Sequence, residues 1–69
     1  MSIRDLIEQF EIQGAYCITT FKGYDCVVLA KGDDFQYDKS EIDDAILDSN
    51  IEFMFAGNGV LNIEVEGEQ

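Results

Sequence analysis

Histidine is absent from this chain, and with it go the commonest general base, the commonest metal ligand and every Ser-His or Cys-His arrangement. Enzyme readings lose most of their parts. Basic residues are nearly as scarce, four Lys and Arg against fifteen Asp and Glu, for a net charge of −11. Nucleic acid and anionic membrane both call for clustered Lys and Arg to meet phosphate. Direct binding to either is therefore not expected, and the balance favours a basic protein partner. No apolar run approaches the ~18 residues of a membrane span, and the N-terminus lacks a basic region followed by an apolar core. A cytoplasmic location is the expectation. The two cysteines, Cys17 and Cys26, then read as free thiols in a reducing compartment. Pairing them directly across a hairpin would centre the turn on Phe21-Lys22 and miss Gly23. The two sulfurs are expected on opposite faces or offset, buried and unbridged.

What is present argues for a folded domain. The hydrophobic fraction is 46%, with five Phe and three Tyr, whereas disordered acidic chains are poor in such residues. Sixty-nine residues make one domain, 1–69, near the size where roughly 60% of the unfolded surface is buried. The net charge lies outside the ~2–8 units comfortable at this size, so self-repulsion costs stability at low salt.

Ser2 with Asp5 three residues on reads as a capping box, followed by Ile3, Leu6, Ile7 and Phe10 at helical spacing. Ala15 to Phe21 is β-branched and aromatic, a strand. Lys22 to Tyr24 supply a turn, and Asp25 to Ala30 return as a second strand. Its nearly uniform apolarity predicts burial on both faces or a central place in the sheet. A last hairpin follows from Ile51, Phe53 and Phe55 alternating in one strand and Leu61, Ile63 and Val65 in the next. A two-residue Asn58-Gly59 turn would pair Phe55 with Asn62; a three-residue loop pairs Phe55 with Leu61 and Phe53 with Ile63. The apolar pattern selects the three-residue loop, with Gly59 in a bulge. The order helix, hairpin, helix, hairpin would fit a duplicated half-domain, but too few residues match to claim a repeat. The fold class expected is α+β, a single domain with an antiparallel sheet of about four strands and helices on one face.

Between the hairpins lies the most charged stretch, Asp33 to Glu52, with eight carboxylates against the one base Lys39. Phe35 and Tyr37 alternate with polar neighbours, an extended arm with both rings on one side. Ser40 with Asp43 resembles a second capping box, and Ile42, Ala45 and Ile46 make an inward face for about two turns of helix. Glu41, Asp43, Asp44 and Asp48 would point outward, several carboxylates ~5–6 Å apart along one ridge. Phosphates line a nucleic-acid strand at comparable intervals, and the electrostatic part of such binding is not sequence-specific. The candidate partner-binding residues are therefore Asp33, Asp34, Asp38, Glu41, Asp43, Asp44 and Asp48. The bland alternative is a solvated face that keeps a small protein soluble, which is what most charge runs are. Neither acidic cluster carries the glycine and terminal glutamate of an EF-hand loop, so no metal site and no cofactor is assigned. With so many acids, a close carboxylate pair carries no information about hydrolysis.

The stretches SIRDLIEQFEIQGAYCI and NGVLNIEVE resemble small uncharacterised proteins carried by bacterial phages and other mobile elements. Acidity, brevity and the lack of catalytic residues are similar to the anti-CRISPR and anti-restriction proteins that mimic DNA. Neither resemblance contains a functional motif, so no site residue comes from it. The resulting expectation is a non-enzymatic inhibitor that occupies a positively charged site on a nucleic-acid-binding protein. The rivals are a homo-oligomeric assembly module, pairing through a strand edge or the Met54 side of the last hairpin, and an antitoxin-like neutraliser of a basic protein.

Overall fold

The structure is a computed structural model that describes residues 1–67; the end of the expected 1–69 domain, residues 68 and 69, lies outside the described residues. Helix α1 (Ile3–Gln9) begins at the expected capping box. Ser2 Oγ accepts from the Asp5 N–H at 3.1 Å, and Asp5 Oδ2 accepts from the Ser2 N–H at 3.1 Å. The helix buries Ile3 and Leu6. Phe10, expected on the same inward face, is exposed, because the chain turns extended at that residue and the helical spacing ends with it.

Strands β1 (Ala15–Lys22) and β2 (Asp25–Gly32) form the first hairpin, and β3 (Ile51–Gly57) and β4 (Val60–Val65) the second. The sheet order is β2-β1-β4-β3. Both hairpins are antiparallel, but they meet through β1 and β4, which run parallel. The sheet is therefore mixed, not antiparallel throughout. A duplicated half-domain would join equivalent strands of the two hairpins, and β1 and β4 are not equivalent.

The apolar strand β2 is an edge, not a central strand, and Cys26 and Val28 are exposed on it. Its register shifts opposite Ile18 and Thr19, leaving Leu29 unpaired as a bulge. A bulge breaks the two-residue alternation, so Leu29 and Ala30 are both packed against the core. Apolar residues in sequence there mark a bulged edge. Cys17 and Cys26 are free, the first half-buried and the second exposed. Cys17 pairs with Lys31 and Cys26 with Phe21, so the thiols are offset along one side of the hairpin.

The second hairpin takes the register that the apolar alternation argued against. Phe55 pairs with Asn62 and Met54 with Ile63, across a two-residue turn. Asn58 and Gly59 have φ of 54° and 75°, the two positive values a type I′ turn requires. A register shift at Glu52 then brings Ile51 opposite Val65. The bulge lets Ile51 pack on the core while Phe53 and Phe55 occupy the opposite, open face.

The core lies between one face of the sheet and the helices: Tyr16, Ile18, Ile63 and Val65 from the strands against Ile3, Leu6, Phe35 and Leu47. The segment joining the hairpins leaves one edge strand and enters the other, so it crosses the whole sheet, roughly 14 Å at the usual strand spacing. It forms two single turns, α2 (Phe35–Asp38) and α3 (Asp44–Leu47), in place of an extended arm and a two-turn helix. In α2 the residues two apart point in different directions, so Phe35 is fully buried while Tyr37 is 71% exposed. Ser40 caps nothing; its hydroxyl donates to the Tyr37 carbonyl at 3.4 Å. The inward residue missing from the sequence reading is Leu47, and Ala45 faces out. Phe35 N–H donates to the Gly14 carbonyl at 2.9 Å, which ties the start of this segment to the start of β1.

Candidate functional site

The seven candidate carboxylates fall into three groups. Asp44 and Asp48, one turn apart on and after α3, both point at Arg4 of α1. Its Nη2 lies 3.1 Å from Asp44 Oδ1 and its Nε 2.7 Å from Asp48 Oδ1. Hydrogen bonds to Asp48 and then Asp44 raise the guanidinium pKa above its ordinary value. These two acids thus link α3 to α1 through exposed ion pairs, with part of their charge neutralised. They do not extend a bare ridge.

Asp33 and Asp34 sit where the chain leaves β2. Asp34 is the N-cap of α2, its Oδ1 accepting from the Tyr37 N–H at 3.3 Å. Asp33 is exposed beside the mouth of a shallow depression formed by Tyr16, Cys17 and Val60.

Asp38, Glu41 and Asp43 line a groove of about 420 Å³ between the β2 edge and the crossing segment. Leu29, Ala30, Ile42 and Ile46 line it as well, together with the base Lys31. Asp38 is fixed by Tyr16, whose hydroxyl donates to Oδ2 at 2.9 Å. Tyr16 in turn meets Phe35 edge-on, with ring centroids 5.1 Å apart. Burial first, and then the bond to Asp38, push the Tyr16 phenol up to about 12, so it stays a neutral donor at physiological pH. Gly32 makes this possible, because a Cβ there would run into Asp38 Oδ2 and crowd the Tyr16 ring.

Among the described residues, Asp33, Glu41 and Asp43 enter no side-chain hydrogen bond or ion pair. Their carboxylates face solvent from positions set by backbone that is itself anchored. Glu41 N–H donates to the Asp38 carbonyl at 2.8 Å, and the Asp43 carbonyl accepts from Ile46 and Leu47. Among the described residues, no three Asp, Glu or Cys side chains converge as metal ligands, and no helix is long and apolar enough to cross a membrane. The residue that sequence reasoning missed is Tyr16. Its signal, a tyrosine in a strand whose alternate positions Ile18 and Thr20 are buried, was readable, but its acidic partner lies twenty-two positions away.

Carboxylates beside aliphatic side chains suit a long basic side chain. The aliphatic stem of Lys or Arg lies along hydrophobic surface while the charged head meets carboxylate. No protein-family model matches the chain, and neither does a curated protein or a solved structure.

Proposed function

We propose that this chain is a non-enzymatic acidic interaction protein of the cytoplasm. It would occupy a positively charged nucleic-acid-binding site on a protein partner, as DNA mimics of the anti-CRISPR and anti-restriction kind do. One observation carries the reading: Asp38, Glu41 and Asp43 line a single groove together with Leu29, Ile42 and Ile46, held on a segment docked by Phe35 and Leu47. Carboxylates carried on an anchored backbone lose little loop entropy on binding. A net charge of −11 adds long-range attraction for a basic surface and speeds encounter. Asp33 extends the same charge toward the β1–β4 end.

The test uses the acids that hold no structural contact. Replacing Asp33, Glu41 and Asp43 together by Lys should abolish capture of a basic partner from bacterial lysate while circular dichroism stays that of the wild type. Capture by wild type should also fall steeply with salt. Undiminished capture by the folded triple variant would remove the groove from the function.

A further inference from the structure

Strand β3 differs from every other element in what it leaves uncovered. It is an edge of the sheet, and three consecutive large apolar residues on it are open to solvent: Phe53 at 56%, Met54 at 44% and Phe55 at 52% exposure. Alternation puts Phe53 and Phe55 on the open face, their rings 5.5 Å apart, and Met54 on the helix side. Both faces of the strand therefore present partly exposed apolar side chains. Alternation in an antiparallel ladder also leaves every second N–H and C=O of β3 pointing away from β4. Met1 and Ser2 cover the first of them, the Met1 carbonyl accepting from the Ile51 N–H at 2.8 Å, so the open edge runs from Phe53 to Gly57. Edge strands are ordinarily protected by Lys, Pro or a central bulge. In β3 the bulge falls at Glu52, before the exposed run, and Phe53 to Gly57 contains no charge and no proline. The other edge, β2, is bulged in its middle and bears Asp25 and Lys31.

We infer that β3 pairs antiparallel with β3 of a second copy of this chain, about a two-fold axis near Met54, to make one continuous eight-stranded sheet. The charge distribution selects the occupant. Carboxylates are concentrated on the crossing segment, whereas Phe53 to Gly57 is itself neutral and flanked only by Glu52 before it and Glu64 across from Phe53, so this edge repels a second acidic copy less than the groove does. It is also the place where two strongly acidic molecules can meet with their charged layers apart. A two-fold pairing is self-complementary, and it sets Phe53 of one copy across from Phe55 of the other, a stabilising cross-strand pair. The contact is one strand wide, well short of the ~800 Å² per partner of standard interfaces, so the dimer is concentration-dependent. This inference stands on β3 alone and is independent of the acidic groove.

The experiment is sedimentation equilibrium of the full chain over a wide concentration range, between about 0.01 M and about 1 M salt. The expected result is a reversible monomer–dimer equilibrium that tightens as salt rises, because salt screens repulsion between the two acidic bodies. Phe55→Lys should weaken it by on the order of tenfold or more, and Val28→Lys, exposed on the opposite edge strand, should leave it unchanged. If Phe55→Lys fails to fold, Met54→Lys decides in its place. A chain that stays monomeric at the highest concentration and salt overturns the inference. So does a dimer that salt loosens, one indifferent to the β3 substitutions, or one that Val28→Lys disrupts equally.

Discussion

Tyr16, Asp38 and Gly32 set the shape of the acidic groove from below. Because Gly32 has no side chain, Asp38 can approach the Tyr16 hydroxyl, and a methyl group there would collide with both. Gly32→Ala should therefore push the Asp38 carboxylate aside and cost this part-buried hydrogen bond, a loss of about 0.5–1.5 kcal/mol measurable by urea denaturation. The same pair gives a pH signature. The Tyr16 phenol is raised from 10.0 to about 12 in the folded state, so the native protein holds its proton after the unfolded chain has released it. This contribution to stability is whole below pH ~10 and is lost as pH rises from there to ~12. Urea titrations across that window should show the decline in the wild type and a smaller one in Tyr16→Phe. None of this could be read along the chain, since Tyr16 and Asp38 belong to different elements and only the crossing segment brings them together. Arg4 is the other hidden residue. Its guanidinium ties down two of the carboxylates that the charge pattern offered to a partner. Arg4→Gln should release both and tighten binding of a Lys- and Arg-rich peptide, measured by calorimetry at low salt.

Among the elements, the start of α1 was legible to the residue, since a capping box is a local device and Ser2 and Asp5 satisfy it alone, whereas its inward face was carried too far, to Phe10. The crossing segment was only half legible. Its docking through apolar residues was evident, but one-turn helices of four residues are too short to show a period, so Tyr37 was turned inward and Leu47 overlooked. Phe35 is fully buried at the junction of α2 with β1. Phe35→Ala should cost about 3–5 kcal/mol against a total of roughly 5–15 kcal/mol for a folded domain. It should therefore lower the denaturation midpoint severely and remove the acidic display with it. The second hairpin shows two local signals in conflict. Apolar alternation chose one register, and the Asn58-Gly59 turn chose another and won, with the Glu52 bulge returning Ile51 to the core. No atom lies within 4 Å of a Cβ added at Gly59, so Gly59→Ala isolates the backbone cost of its positive φ, about 1–2 kcal/mol. A three-residue loop with Gly59 in a bulge would also need that glycine, so the free energy is read together with the Phe55–Asn62 cross-strand contact in nuclear Overhauser spectra. The two-residue register requires that contact.

At the scale of the whole molecule, composition foretold an α+β domain with helices on one face, and the structure has that form. Strand order lay beyond it. The parallel contact of β1 with β4 depends on how far the segment between the hairpins travels, and nothing local encodes that distance. The consequence is a molecule with two unlike ends, an acidic groove by β2 and a neutral apolar edge at β3, which should respond to salt in opposite ways. The central proposal, a carboxylate surface standing in for phosphate, is tested most directly by competition. The partner captured from lysate is immobilised, saturated with this chain and challenged with duplex nucleic acid. Displacement of the chain, with no complex holding both, is the result expected of a mimic. A stable ternary complex of partner, chain and nucleic acid would contradict it.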